Sequence, residues 1–142
     1  MAGDPADQDS GQAPTPGPVD HDAAQLRAVA HRIADLFPGE PRTTIDGRYD
    51  PHVFGQPARK HRVYGWEYNL RLSAPPDAAE ILRTRVVPEL AGAGWQVTDR
   101  SSDREQAYQF SRSGFNLGVH VARDVGGDVV IGGSTPPVPA TD

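Results

Sequence analysis

The chain has 142 residues, 14 of them Lys or Arg and 19 Asp or Glu, for a formal net charge of −5, and it contains no cysteine. This length suits one domain, which can bury roughly 68–70% of its unfolded surface. The absence of cysteine excludes disulfides, iron–sulfur clusters and thiol catalysis, and no apolar run is long enough for a transmembrane helix.

The charge is unevenly placed. The first 20 residues hold Asp4, Asp7, Asp9 and Asp20 with no base, which leaves 15 acidic against 14 basic residues beyond them. The remainder is close to neutral, so no basic excess of the kind a nucleic-acid binder shows is present. Residues 1–21 are rich in Pro, Gly and Asp and are expected to stay disordered as a leader, since they offer little apolar surface to offset the entropy of ordering. One domain is expected over residues 22–133, with a frayed tail at 134–142.

Helix one is predicted to begin near Asp22, whose spacing to Gln25 is that of a capping box. Leu26, Val29, Ile33 and Leu36 or Phe37 then form an apolar stripe at helical spacing, and Pro38-Gly39 ends it. Residues 38–60 are irregular, with a short edge strand expected at Thr43 to Ile45. Connections this long are uncommon in small domains and often carry function. Tyr49, His52 and Phe54 make this segment a candidate lid or ligand wall.

Arg62 to Ser73 reads R-V-Y-G-W-E-Y-N-L-R-L-S. Tyr64, Trp66, Tyr68, Leu70 and Leu72 alternate with small or polar residues, the pattern of a strand with one apolar face. A second helix is predicted after Pro75-Pro76, with Asp77 and Glu80 in its first turn and a stripe of Ile81, Leu82, Val86 and Leu90. Pro88 cannot donate to the Thr84 carbonyl, so a kink or break is expected there. Gly94 is expected to close the helix in a left-handed conformation.

Four strands are expected next, at 95–98, 106–112, 115–123 and 128–133. Their short links predict an antiparallel meander. The order α-β-α-β-β-β-β predicts an α+β two-layer sandwich: a mostly antiparallel five-stranded sheet with two helices on one face and water on the other.

The wet face should present Glu67, Asn69, Arg71, Gln96, Thr98, Gln109, Asn116 and His120. Glu67, Asn69, Arg71, Asn116 and His120, together with Tyr49, His52 and Phe54, are the candidate binding residues. Glu67 and His120 share that face, and such a pair can move a proton when geometry brings it together. Asp50, His52, His61 and His120 offer metal-ligand types without any of the usual short spacings. No nucleophile elbow, P-loop or dinucleotide fingerprint occurs, and no cofactor or catalytic set is assigned. The basic run 58–62 leads into aromatics that the helices should bury, which removes a base-stacking platform.

The pieces Y-G-W-E-Y-N-L-R-L, E-L-A-G-A-G-W-Q-V and V-V-I-G-G-S-T-P-P-V resemble a pattern in small actinobacterial proteins of unknown function, many similar to secreted lipoproteins with a linker before the domain. The resemblance implies a place at the cell envelope or outside the cell; a full-length chain with no anchor would instead be cytoplasmic. It implies no catalytic residues. The expected function is a non-enzymatic binding or interaction module with a protein partner, a toxin neutralised by an immunity-like protein being one form. The alternative is a small-ligand or enzymatic domain with its pocket between the 38–60 loop and the sheet.

Overall fold

The computed structural model describes residues 18–49, 63–123 and 127–139. It is an α+β fold in two layers. Helix α1 spans Pro18–Ala34 and is followed by strands β1 (Arg42–Tyr49) and β2 (Val63–Ser73). A helical run then passes through α2 (Ala78–Ile81), a π-helical turn (Leu82–Val86) and α3 (Val87–Gly92). Strands β3 (Gln96–Asp99), β4 (Glu105–Arg112), β5 (Phe115–Ala122), β6 (Asp128–Ser134) and β7 (Val138–Pro139) complete the chain.

The strands lie in the order β1-β2-β6-β5-β4-β3, with β7 paired to the start of β2. Every pairing is antiparallel. The expected meander is present from β3 to β6. The helical run carries the chain from β2 across the sheet to its far edge at β3. Strand β6 then returns to pair with β2, matching Leu70 with Ile131 and Leu72 with Val129.

These pairs define the apolar face. Tyr68, Leu70, Leu72, Phe110, Leu117, Val119, Val121, Val129 and Ile131 are buried there against Leu26, Ala30, Ile33, Ile81, Leu82, Val86 and Leu90 from the helices. Each fully buried Leu, Ile, Val or Phe contributes about 1.5–3 kcal/mol, so this layer contact is the main source of stability.

Helix α1 begins at Pro18, four residues before the expected start. Its buried stripe is Val19, Ala23, Leu26, Ala30 and Ile33, continued by Phe37 beyond the helix. The alanines matter because small side chains let the helix sit close to the sheet. Proline suits a first helical turn, and Asp20 adds charge where the helix dipole favours it. Residues 18–21, expected in the leader, are the first turn of α1.

The break expected near Pro88 takes the form of the π-helical turn. The Val87 N–H bonds to the Leu82 carbonyl, five residues back. Thr84 Oγ1 donates to the Glu80 carbonyl at 2.7 Å. Pro88 supplies no N–H to continue an α-helical ladder, and the chain absorbs the extra residue just before it. Gly94 closes the run with φ +93°, as expected.

Strand β1 is longer than the three residues expected, and it sits at the sheet edge with an irregularity between Thr43 and Ile45. It lacks apolar alternation because most of it is exposed on both faces. The sheet also continues past residue 133. Ser134 belongs to β6, and β7 lies inside the expected frayed tail. Thr135 explains this: its N–H donates to the Trp66 carbonyl, and its Oγ1 accepts from the Trp66 N–H, both at 3.0 Å. That side chain is fully buried.

The aromatic row of β2 is only partly roofed by helices. Tyr68 is buried, whereas Tyr64 and Trp66 are half-buried. Arg27 from α1 covers Trp66 with its guanidinium 5.6 Å from the ring centre, and Arg48 lies 4.2 Å from the centre of Tyr64. Trp66 Nε1 donates to Asp46 Oδ1 at 2.6 Å, and Arg27 bonds the same carboxylate at 3.0 Å. His31 Nε2 and Thr43 Oγ1 meet the Tyr68 hydroxyl at 2.6 and 3.1 Å. This polar seam fastens α1 to the sheet margin where carbon-to-carbon packing runs out.

Two outcomes follow from this packing. A Cβ at Gly133 would collide with the Asn116 carbonyl oxygen, a backbone atom, whereas one at Gly47 meets nothing within 4 Å. Gly133→Ala should cost about 1–3 kcal/mol, the usual penalty of overpacking, while Gly47→Ala stays within about 0.5 kcal/mol, both read by urea denaturation. The Asp46 carboxyl is held below its usual value of 3.8 by the Trp66 indole hydrogen bond and then by Arg27. A lowered carboxyl pKa adds stability above the unfolded value and loses it as pH falls through the folded one. The wild-type melting temperature should exceed that of Asp46→Asn at pH 7, and the gap should close below about pH 3.8. The gap stays modest because both side chains of the pair are over a third exposed.

Candidate functional site

The face of the sheet away from the helices is assembled by cross-strand register. One row across it runs Thr98, Gln109, Gly118, Gly132, Asn69 and Ile45. The next runs Gln96, Ser111, Asn116, Ser134 and Glu67. On the other side lie Ala107, His120, Val130 and Arg71. Antiparallel partners share a face, so the alternation in each strand places all of these side chains on one surface.

Gly118 and Gly132 are direct neighbours in β5 and β6. Neither has a Cβ, so the sheet surface is low here and neighbouring side chains can lean over it. The result is an open groove of about 310 Å³ whose floor holds Gly118 and Gly132, and whose lining includes Gln109, Asn116, His120, Ser134 and Arg100. Its volume is at the small end of ligand sites. Asn69 leans in from β2, with its Oδ1 against the place a Cβ on Gly132 would take. On the other flank His120 Nε2 lies 3.2 Å from the position of a Cβ on Gly118.

The hydrogen-bonding state of the lining is informative. His120 Nδ1 faces Glu105 Oε2 at 3.3 Å, which leaves Nε2 toward the glycine floor. The carboxamides of Gln109 and Asn116 form no hydrogen bond with another described residue, and among the described residues Arg100 has no ion-pair partner. Polar groups whose bonding capacity is not used within the fold are free to meet water or a ligand.

Of the residues singled out in the sequence, Asn116 and His120 come together in this groove, with Asn69 at its edge. Glu67 and Arg71 share the face but stand outside the groove. Arg71 Nη1 bonds Asp128 Oδ2 at 3.1 Å. The possible Glu67–His120 proton-transfer pair does not form. Glu67 stands four residues along β2 from the Arg71 row that contains His120, about 13 Å away along the strand. The partner of His120 is Glu105. Tyr49 serves the margin of the fold instead. Its ring lies over Gly65, with Cε1 2.6 Å from where a Cβ would be, and its hydroxyl donates to the Thr135 carbonyl at 3.4 Å. His52 and Phe54 lie outside the described residues, as do Asp50 and His61. No residue of the described part of the 38–60 segment lines the groove.

The sequence pattern singles out neither Arg100 nor the glycine pair. A signal existed for the glycines: an outward-facing Gly inside a regular strand often marks close approach by another molecule. Their adjacency depends on β5–β6 register, which no local pattern encodes.

Among the described residues no three His, Asp or Glu side chains gather as a metal site. No described helix is long and apolar enough to cross a membrane. Comparison with family models, with curated proteins and with solved structures gives no match to this chain.

Proposed function

We propose that the protein is a non-enzymatic binding module that presents the helix-free face of its sheet to a protein partner. The observation that carries this reading is the groove over Gly118 and Gly132, lined by carboxamides that bond no other described residue. A rigid antiparallel sheet is a good platform for such contacts. Its side chains are fixed in spacing by the ladder, so binding orders few new groups and the entropic cost is low. The lining offers donors and acceptors without the clustered base, nucleophile and orienting group that acyl-transfer or hydrolytic chemistry needs. What supports an envelope location is the likeness of the 64–97 region to proteins that are often secreted lipoproteins.

The test is site-specific crosslinking in the source cells. A photoreactive amino acid placed at Gln109 should give a defined adduct with a partner, while the same group at Arg83, exposed on the helical layer, should not. Gly118→Val, which fills the groove floor, should abolish the Gln109 adduct without changing the melting curve. Matching adducts from both positions, none from either, or an adduct indifferent to the valine would each refute the reading. Fractionation of the same cells tests the location, which requires the chain in the membrane or extracellular fraction.

A further inference from the structure

We infer that the groove receives the C-terminal end of an extended peptide, with its carboxylate against Arg100. This rests on the reading of the helix-free face as the binding surface and adds the chemistry of what it binds. Three features of the groove support it.

The first is the floor. Gly118 and Gly132 bring no side chain of their own, and what lies over them is the imidazole edge of His120 and the carboxamide of Asn69, so an approaching main chain meets a shallow floor of polar groups. The second is the wall. Gln109 and Asn116 each carry one carbonyl acceptor and two N–H donors, and none is engaged with another described residue. A peptide bond offers one donor and one acceptor in the same plane, so two carboxamides facing one trough are complementary to an extended main chain.

The third is the charge at one end. Arg100 lines the groove, is exposed, and has no ion-pair partner among the described residues. A guanidinium binds a carboxylate through two parallel N–H···O bonds, a geometry that fixes direction as well as adding affinity. The Glu105 carboxylate is turned to His120 Nδ1. His120 Nε2 stays directed at the floor, where it can meet a backbone group of the bound chain. Its row neighbour Arg71 is already engaged by Asp128, which leaves Arg100 as the cation within the groove.

The experiment uses the full chain and a degenerate pool of tetrapeptides in two forms, free acid and C-terminal amide, read by affinity selection and mass spectrometry. A uronic-acid oligosaccharide serves as a third probe, since an acidic sugar would also bring a carboxylate to Arg100. The free-acid pool should be retained at least tenfold more than the amide pool. Arg100→Gln should erase that preference, and Gly118→Val should erase retention of both pools, with circular dichroism melts showing each variant folded. Equal retention of acid and amide, retention of the uronate alone, or no retention of any probe overturns the inference. A positive crosslink at Gln109 alongside any of these negative results leaves the binding surface standing and removes only the peptide terminus as its occupant.

Discussion

Seven residue pairs, from Glu67–Ser134 to Ser73–Asp128, join β2 to β6 and weld the first half of the chain to the last. Without this ladder the protein would be two pieces: a β1–β2 hairpin with a helix, and a four-stranded meander. Closing so long a stretch of chain costs conformational entropy before it returns anything. What offsets the cost is that the same seven pairs bring Tyr68, Leu70 and Leu72 beside Ile131 and Val129, completing the continuous apolar surface on which α1 and the helical run sit. The register also decides what lies on the reverse side. A slip by one residue would turn the leucines to water and bury Asn69 and Arg71 under the helices. Core and candidate groove are therefore set by one pairing.

This explains why the architecture was legible in the sequence and the groove was not. The alternation from Tyr64 to Leu72 marks a half-buried strand without any knowledge of its neighbours, and the short links after Gln96 leave the meander little freedom. Pro88 announces a disturbance in the helical run, and the π-helical turn supplies it. Features that depend on tertiary context escaped. The early start of α1 rests on Val19 and Ala23, small residues whose role appears only once the sheet lies beneath them. Strand β1 has almost no apolar pattern because it is an exposed edge. Strand β7 is a two-residue segment containing a proline, held by what Thr135 does to Trp66. The individual polar residues of the wet face could be listed, but the dip between Gly118 and Gly132 exists only when β5 and β6 are in register.

The treatment of β2's aromatic row shows how the fold ends its own core. Helical cover stops after Tyr68, and Trp66 and Tyr64 would otherwise be an exposed apolar patch. Arg27 and Arg48 lie over these rings, and Asp46 accepts from the indole N–H while pairing with Arg27. Cation–π contacts at partly exposed sites contribute about 0.5–1 kcal/mol each, modest individually but enough to favour a closed margin over a frayed one. Tyr49 does the same on the opposite side, laying its ring over Gly65. In both places a long polar or aromatic side chain finishes a surface that the strand itself leaves open.

Set beside these finished margins, the groove stands out by contrast. Gly65 is covered by the aromatic ring of Tyr49 and Gly133 is closed by the neighbouring backbone, whereas Gly132 is covered by the carboxamide of Asn69 and Gly118 by the edge of the His120 imidazole, so the groove floor is polar. Elsewhere the fold uses its polar side chains on one another or on the backbone: Arg27 on Asp46, Arg71 on Asp128, Arg123 on the Ser102 main-chain carbonyl. Among the described residues, the side chains of Gln109, Asn116 and Arg100 have no such partner. Two adjacent glycines cost a sheet conformational entropy and forgo cross-strand side-chain contact. At Gly132 the missing Cβ makes room for the Asn69 carboxamide, and at Gly118 it lets the His120 imidazole lie close to the sheet, so the glycine pair decides where the polar tips of this face sit.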